Sequence, residues 1–378
     1  MKEQLNSTDL MWAQEIWEKI QKKMIVECER VGSKIPYISR NGVYIEDKAQ
    51  TDIVWWTNGF WPGILWQMYH ATGNEQYRHT AEAVEEKLDR AFEQYTGLHH
   101  DVGFMWLHSA VANYRITGSE RSKARGLHAA HLLAGRYNPR GKFIRSWNRD
   151  RAGWVIIDSM MNIQLLFWAE EVLGDPRFRF MAEDHADTLM KYTVRGDGSC
   201  NHIIVLDPYT GDLLETPAGQ GYASGSSWSR GQSWAIYGYA LTARHSKKKE
   251  YLETAKRVAN YFIAQSERTG YVPLVDFRAP KEPVYWDTTA AMCAACGCLE
   301  IARQVPQLEK GFYVESALKL LKATQKKYCN WDPEYDSIVG MGSGSYATEH
   351  DRHVPIIYGD YYLIEAVLRL LDKDILLW

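Results

Sequence analysis

Apolar residues occur along this chain in two alternating textures. Phe60 to Tyr69 and Ile163 to Trp168 are aromatic or aliphatic nearly all round, a pattern that asks for a helix buried on every side. The stretches after them, from Glu75 and from Arg177 to Met190, carry charge on one face only and read as amphipathic helices. Short breakers stand between the two textures: Thr72-Gly73-Asn74, Thr117-Gly118-Ser119 and Gly174-Asp175-Pro176, the last with proline at an early helical position. Each unit is therefore a helical hairpin with an inner apolar helix and an outer amphipathic one. Weaker copies follow at Trp234 to Arg244 with Tyr251 to Gln265, and at Thr288 to Arg303 with Phe312 to Gln325. Helices from Leu10 to Val31 and from Tyr361 to Leu371 complete about twelve helices in six pairs.

Six such hairpins predict an all-α fold, an (α/α)6 barrel formed as one catalytic domain over residues 1–378. An open solenoid would need polar capping repeats at its ends, and none is visible. Asn201 to Asp212 interrupts the helical pattern with β-branched alternation and a Pro-Tyr-Thr-Gly turn, which predicts a short β-hairpin insertion. Functional chemistry is expected at the barrel end where loops lead into the inner helices, because loops vary without disturbing the rings.

Composition narrows the function classes. The chain has 378 residues, 46% of them hydrophobic, and a formal net charge of −3, so it can bury a large core and offers no basic face to a phosphate backbone. Nucleic acid is not an expected partner, and Lys247-Lys248-Lys249 reads as a solvated turn. No run approaches the roughly twenty apolar residues of a membrane span, and Met1 to Gln4 lacks the apolar core of a signal peptide, so no membrane is expected and the location reads as cytoplasmic. The six cysteines agree with a reducing compartment. Cys293, Cys296 and Cys298 share one small-residue helix, which suits tight packing and supplies no metal knuckle; no metal or other cofactor is predicted.

Two aspartates stand out against this frame. Asp101, in Leu98-His99-His100-Asp101-Val102-Gly103-Phe104, and Asp158, in Gly153 to Asn162, each end a short non-helical approach and open an apolar helix. The ordinary role of such a residue is to cap free backbone N–H groups; the alternative is a carboxylate turned into a pocket. Phe104, Trp106, Trp147, Trp154, Phe167 and Trp168 crowd the same neighbourhoods, and aromatic walls with a few polar groups suit a carbohydrate. Trp55 to Trp61, Ser227 to Trp234 and Tyr358 to Tyr362 are predicted to reach the same end of the barrel.

Trp56-Thr57-Asn58-Gly59-Phe60-Trp61, His99-His100-Asp101-Val102-Gly103-Phe104, Ile156-Ile157-Asp158 and Ser227-Trp228-Ser229-Arg230-Gly231-Gln232-Ser233-Trp234 resemble, in order and spacing, the pattern of the unsaturated glucuronyl hydrolases, glycoside hydrolase family 88. The resemblance covers nearly the whole chain. It implies removal of a 4,5-unsaturated uronic acid from the non-reducing end of lyase-generated glycosaminoglycan oligosaccharides, without metal or organic cofactor. It further implies that Asp158 is the acid/base and Asp101 the second essential carboxylate. Proton donation near neutral pH asks for a raised pKa on Asp158, which an apolar wall and the like charge of Asp101 would supply.

The resemblance also points to Gln220 and His202 as sugar contacts. Arg230, set between Trp228 and Trp234, is the expected planar fork for the substrate carboxylate. His100 is read as orienting Asp101. Trp56, Trp147, Trp228 and Trp234 are candidate stacking surfaces, two or three of them in the pocket. Ser345 and Thr348, in the Gly342 to His350 segment, are candidates for contacting the neighbouring sugar. Thr348 and His350 stand where sulfate-preferring relatives carry Ser and Lys, so sulfate preference does not carry over. Two other enzymes share this barrel logic. A sugar 2-epimerase would place several histidines in the pocket, against which the paired aspartates argue. An unsaturated rhamnogalacturonyl hydrolase would lack the His-His-Asp arrangement.

Overall fold

A computed structural model describes all residues, 1–378. Its helices are α1 (Ser7–Val31), α2 (Lys48–Thr51), α3 (Phe60–Thr72), α4 (Glu75–Glu93), α5 (Val102–Trp106), α6 (Ala112–Thr117), α7 (Glu120–Ala134), α8 (Ser159–Asn162), α9 (Gln164–Leu173), α10 (Pro176–Tyr192), α11 (Ser229–Ser246), α12 (Lys249–Glu267), α13 (Thr288–Gln304), α14 (Gln307–Tyr328) and α15 (Ile357–Leu370). The inner ring is α3, then α5 and α6 joined through a π-helical turn at Leu107–Val111, then α8 with α9, then α11, α13 and α15. Contact between α15 and α3 closes it. The outer ring is α4, α7, α10, α12, α14 and α1. This is the (α/α)6 barrel.

The inner-to-outer turns show why the first three repeats are plain in the sequence. Gly73, Gly118 and Gly174 end their helices in the left-handed region at φ of 71°, 75° and 65°, which costs glycine nothing. Asn74, Ser119 and Asp175 then cap the outgoing helices, accepting from the backbone N–H of Gln76, Ser122 and Arg177. At the fourth turn Lys247 takes the left-handed position and Lys248 gives no side-chain cap, so the same geometry carries no glycine signature.

A three-stranded antiparallel sheet crosses the loop end, with β3 (Trp154–Ile156) beside β4 (Ile203–Leu206) and β4 beside β5 (Leu213–Glu215). The β4–β5 pair is the predicted hairpin. The third strand is additional: Trp154, Val155 and Ile156 oppose Val205, Ile204 and Ile203, which places the approach to Asp158 against the strand following His202. The remaining strands, β1 (Tyr137–Asn138) and β2 (Phe143–Ile144), form a two-residue antiparallel pair. One continuous core of 104 buried residues fills the rings, Cys293, Cys296 and Cys298 among them. Trp378 lies within it, its ring parallel to Tyr362 at 6.1 Å between centroids.

Candidate active site

Asp101 and Asp158 occupy N-cap positions, of α5 and α8, yet neither carboxylate makes a capping hydrogen bond. Elsewhere Asp47, Asp175 and Asp287 at equivalent positions do cap. Both site aspartates are only 8% exposed, so each carboxylate has left water without receiving the usual reward of a helix mouth.

Asn162, at the end of α8, ties the two together. Its Nδ2 donates to Asp101 Oδ1 at 3.0 Å and to the Asp158 carbonyl at 3.2 Å, while its Oδ1 accepts from Phe104 N–H at 2.8 Å. The helices must meet closely for this: a Cβ on Gly103 would lie 2.5 Å from Asn162 Cα. Asn162 was not singled out among the predicted site residues. The only sequence signal was its spacing, one helical turn after Asp158.

Three imidazoles face the carboxylates. His100 is buried, and its Nδ1 donates to the Ser146 carbonyl at 2.8 Å, so in the neutral ring Nε2 presents a lone pair 3.1 Å from Asp101 Oδ1. His99 Nδ1 lies 3.3 Å from Asp101 Oδ2. Burial, the largest cause, holds both rings at pKa values of about 4, and they remain neutral at ordinary pH. Burial, the largest cause, raises the Asp101 carboxyl to about 6; His99 opposes the rise and the nearby Asp158 charge adds to it. The donor atoms of His99, His100 and Asp101 lie within 4.8 Å of one another. Each imidazole addresses a different oxygen of the one carboxylate.

His202 stands over the other aspartate. Its Nδ1 accepts from Gln220 N–H at 2.9 Å, leaving Nε2 to carry the proton 3.6 Å from Asp158 Oδ1, and neither atom has a hydrogen-bond partner. Its ring lies 4.4 Å from that of Trp228. The Gln220 side chain donates to the Gly344 carbonyl at 2.6 Å and its carbonyl accepts from Tyr346 N–H at 2.9 Å. The loop carrying Gln220 thus joins the segment carrying Ser345 and Thr348, whose hydroxyls bond each other at 2.6 Å.

Arg230 is held firmly by the protein itself. It is 1% exposed, and Nη1 donates to Asp287 Oδ2 at 2.8 Å and to the Ser343 carbonyl, while Nη2 donates to the Gly344 carbonyl at 2.5 Å. These bonds use three of its five N–H groups and leave Nε–H and one Nη2–H without a protein partner. Its guanidinium lies between Trp228, 4.4 Å away, and Tyr358, 5.5 Å away. The aromatic expectations divide. Trp56 and Trp147 are half-buried, whereas Trp228 is 2% exposed and Trp234 is fully enclosed by Trp56, Phe104, Tyr358 and Tyr362, a core side chain behind the site. In a barrel this broad, large aromatics fill volume first.

The Glycosyl Hydrolase Family 88 model matches residues 28–363. The chain belongs to that family. Among relatives of this family 88 member, an unsaturated glucuronyl hydrolase from Bacillus sp. (strain GL1) is 37% identical over 354 residues, covering 90% of this chain and 92% of the relative. An unsaturated chondroitin disaccharide hydrolase from Streptococcus pyogenes serotype M1 is 33% identical, covering 83% and 80%. In three dimensions the family 88 barrel superposes on the unsaturated glucuronyl hydrolase of Streptococcus agalactiae with a TM-score of 0.90 at 30% identity, over 99% of this chain and 94% of the other. A UGL structure with dGlcA-Glc-Rha-Glc gives 0.88 at 34% identity, over 94% and 96%.

Proposed function

We propose that this chain, acting as one catalytic domain over residues 1–378, is an unsaturated glucuronyl hydrolase. It releases 4,5-unsaturated uronic acid from the non-reducing end of lyase-generated glycosaminoglycan oligosaccharides. The supporting observation is the pair of buried aspartates that occupy helix mouths without capping them. The substrate's C4=C5 double bond is joined to the ring oxygen and to a carboxylate, so it is an enol ether. A proton delivered by Asp158 to C4 leaves positive character on C5 and the ring oxygen, and water adds at C5 as it returns a proton to Asp158. The resulting hemiketal opens, C5 becomes a ketone, and the hemiacetal at C1 sheds the neighbouring sugar. The anomeric carbon is never attacked, so the separation rule for paired glycosidase carboxylates does not govern this site.

Asp101 has a different task. Charged above about pH 6, it steadies the positive character that develops in the ring, and Asn162 fixes one of its oxygens. His202 is poised to donate from Nε2, its long approach to Asp158 being the kind that tightens when substrate arrives. Arg230 supplies charge and its free Nε–H, and Trp56 and Trp147 offer faces for the sugar. The gathered histidines do not favour an isomerase: His100 and His202 each spend Nδ1 on backbone.

Relatives differ in the sugar they are seen with; a Streptococcus agalactiae variant is complexed with dGlcA-GalNAc6S. No helix here is long and apolar enough to cross a membrane, and six free cysteines suit a cytoplasmic setting. Incubation with an unsaturated chondroitin disaccharide should abolish the enoate's ultraviolet absorbance. Persistence of that absorbance with unsaturated chondroitin, heparin and hyaluronan disaccharides alike would end this reading.

A further inference from the structure

A sizeable cavity lies away from the paired aspartates. It encloses about 530 Å3 between the α4–α5 connection, the end of α7 and the 145–149 loop, a volume suited to a small ligand. Its charge is lopsided. Arg136, Arg145 and Arg149 all line it, with His99 and Asn148, and no carboxylate forms an ion pair with any of the three guanidinium groups. Elsewhere in the molecule a comparably placed arginine is neutralised: Arg125 meets Glu85 at 2.7 Å and Asp89 at 2.5 Å.

Arg136 and Arg145 spend their N–H groups on neutral acceptors only. Arg136 donates to the carbonyls of Arg145, Ser146 and Trp147 at 3.0, 3.1 and 2.9 Å and to Asn148 Oδ1 at 2.8 Å. Arg145 donates to the carbonyls of Trp147 and Arg149 at 2.8 and 3.1 Å, which leaves three of its five N–H groups free. The Arg149 side chain is exposed and bonds to nothing in the protein. Burial first and the like charge of Arg145 next pull Arg136 down to about 10, outweighing the opposing charge of the more distant Asp101. Like charges held together by their backbone bonds, with donors left over, make a receptor for a negative partner.

We propose that this cavity binds an oxyanion, a sulfate or phosphate group held by Arg145 and Arg149 against Arg136. The group arrives either on an anionic sugar or as a free inorganic ion. The cavity is distinct from the catalytic pair, since neither Asp101 nor Asp158 lines it. The two sites share one side chain: His99, whose Nδ1 lies 3.3 Å from Asp101 Oδ2, forms part of the cavity wall.

Calorimetric titration at fixed ionic strength tests this with three probes, inorganic sulfate, inorganic phosphate and N-acetylgalactosamine 6-sulfate. They are compared in the wild type, Arg149→Asn, and the double variant Arg145→Gln/Arg149→Asn. Asparagine suits position 149, where φ is 59°. Saturable binding that weakens at least about tenfold in the double variant, and part-way in Arg149→Asn, supports the site. Tighter binding of the sugar sulfate than of either inorganic ion assigns a carbohydrate occupant, and the reverse order assigns a free anion. Unchanged turnover and melting of Arg149→Asn show that its loss of binding is local. Absence of saturation by every probe up to about 0.1 M, or equal binding by wild type and both variants, overturns the proposal.

Discussion

Both ends of the barrel bury carboxylates, and they treat them in opposite ways. At the end where α11, α13 and α15 finish, Arg369 is fully buried. It meets Glu300 at 2.9 Å, Glu365 at 2.9 Å and the Tyr237 hydroxyl at 2.5 Å, while Arg244 closes on both Glu300 oxygens. Burial alone would raise Glu300, yet the guanidinium groups of Arg369 and Arg244 outweigh it and the carboxyl is lowered. At the end where those helices begin, Asp101 meets two imidazoles that burial keeps neutral, and its carboxyl rises to about 6. Buried acids with charged partners hold a fold together. Buried acids with neutral partners keep a proton within reach.

The most disruptive test of that contrast is Arg369→Met. It leaves Glu300 and Glu365 buried without their shared cation, and the loss of stability should be about 3–5 kcal/mol, measured by urea unfolding. The remaining folded molecules should turn over substrate normally, because the change lies a helix length from Asp158. A variant as stable as wild type would show that the paired end is not structural.

Asp158→Asn should do the converse. Turnover in the ultraviolet assay should fall at least about a hundredfold, the contribution of one general acid. Unfolding should stay within about 0.5 kcal/mol of wild type, since no capping bond is lost. Near-normal turnover in the folded variant would remove Asp158 from the mechanism.

The reasons why only part of this was legible in the sequence lie in particular residues. Gly73, Gly118 and Gly174 announced three turns because the left-handed position and the cap beside it each favour a residue type; Lys247 fills the same conformation and announced nothing. Strand β3 is three residues long and its partner lies about fifty positions away, beyond any local period. The same distance hid the protein partner of Arg230: its motif was visible, but Asp287, which accepts from its Nη1, is 57 residues downstream. The aspartates looked alike at every helix mouth, and whether the side chain turns inward or caps is a matter of tertiary contact.

Asp101 offers a smaller test, through pH. A carboxyl raised in the folded state binds its proton more tightly there than in the unfolded chain, where its pKa is near 3.9. Between about pH 4 and 6 the folded state therefore holds the extra proton, and stability falls as pH rises through that window. The shift to about 6 corresponds to about 2–3 kcal/mol lost by pH 7. Asp101→Asn removes this slope, so it should be more stable than wild type at pH 7, with the difference vanishing below about pH 4. Glu27 and Asp360, raised by burial to about 8 and about 6, add slope of their own, which the comparison cancels. Equal stability of the two proteins at pH 4 and pH 7 would contradict the raised carboxyl. The same variant should be severely impaired in turnover.

The smallest effects separate the shared part of the substrate from the variable part. Arg230→Lys keeps the charge but cannot serve Asp287 and two carbonyls from a planar group, and should cost about 1–3 kcal/mol of stability. Catalytic efficiency should drop by one factor for every uronic acid substrate, whatever sugar follows, because the cation addresses what all of them carry. Thr348→Ala should act the other way round. Its hydroxyl bonds Ser345 at 2.6 Å in the segment that Gln220 joins to the site, and one neutral hydrogen bond is worth about 0.5–1.5 kcal/mol. That is roughly a 2- to 12-fold change, expected in the ratio of efficiencies for sulfated and unsulfated disaccharides and not in stability. If Thr348→Ala instead scaled all substrates equally while Arg230→Lys altered their ranking, the assignments of the two residues would have to be exchanged.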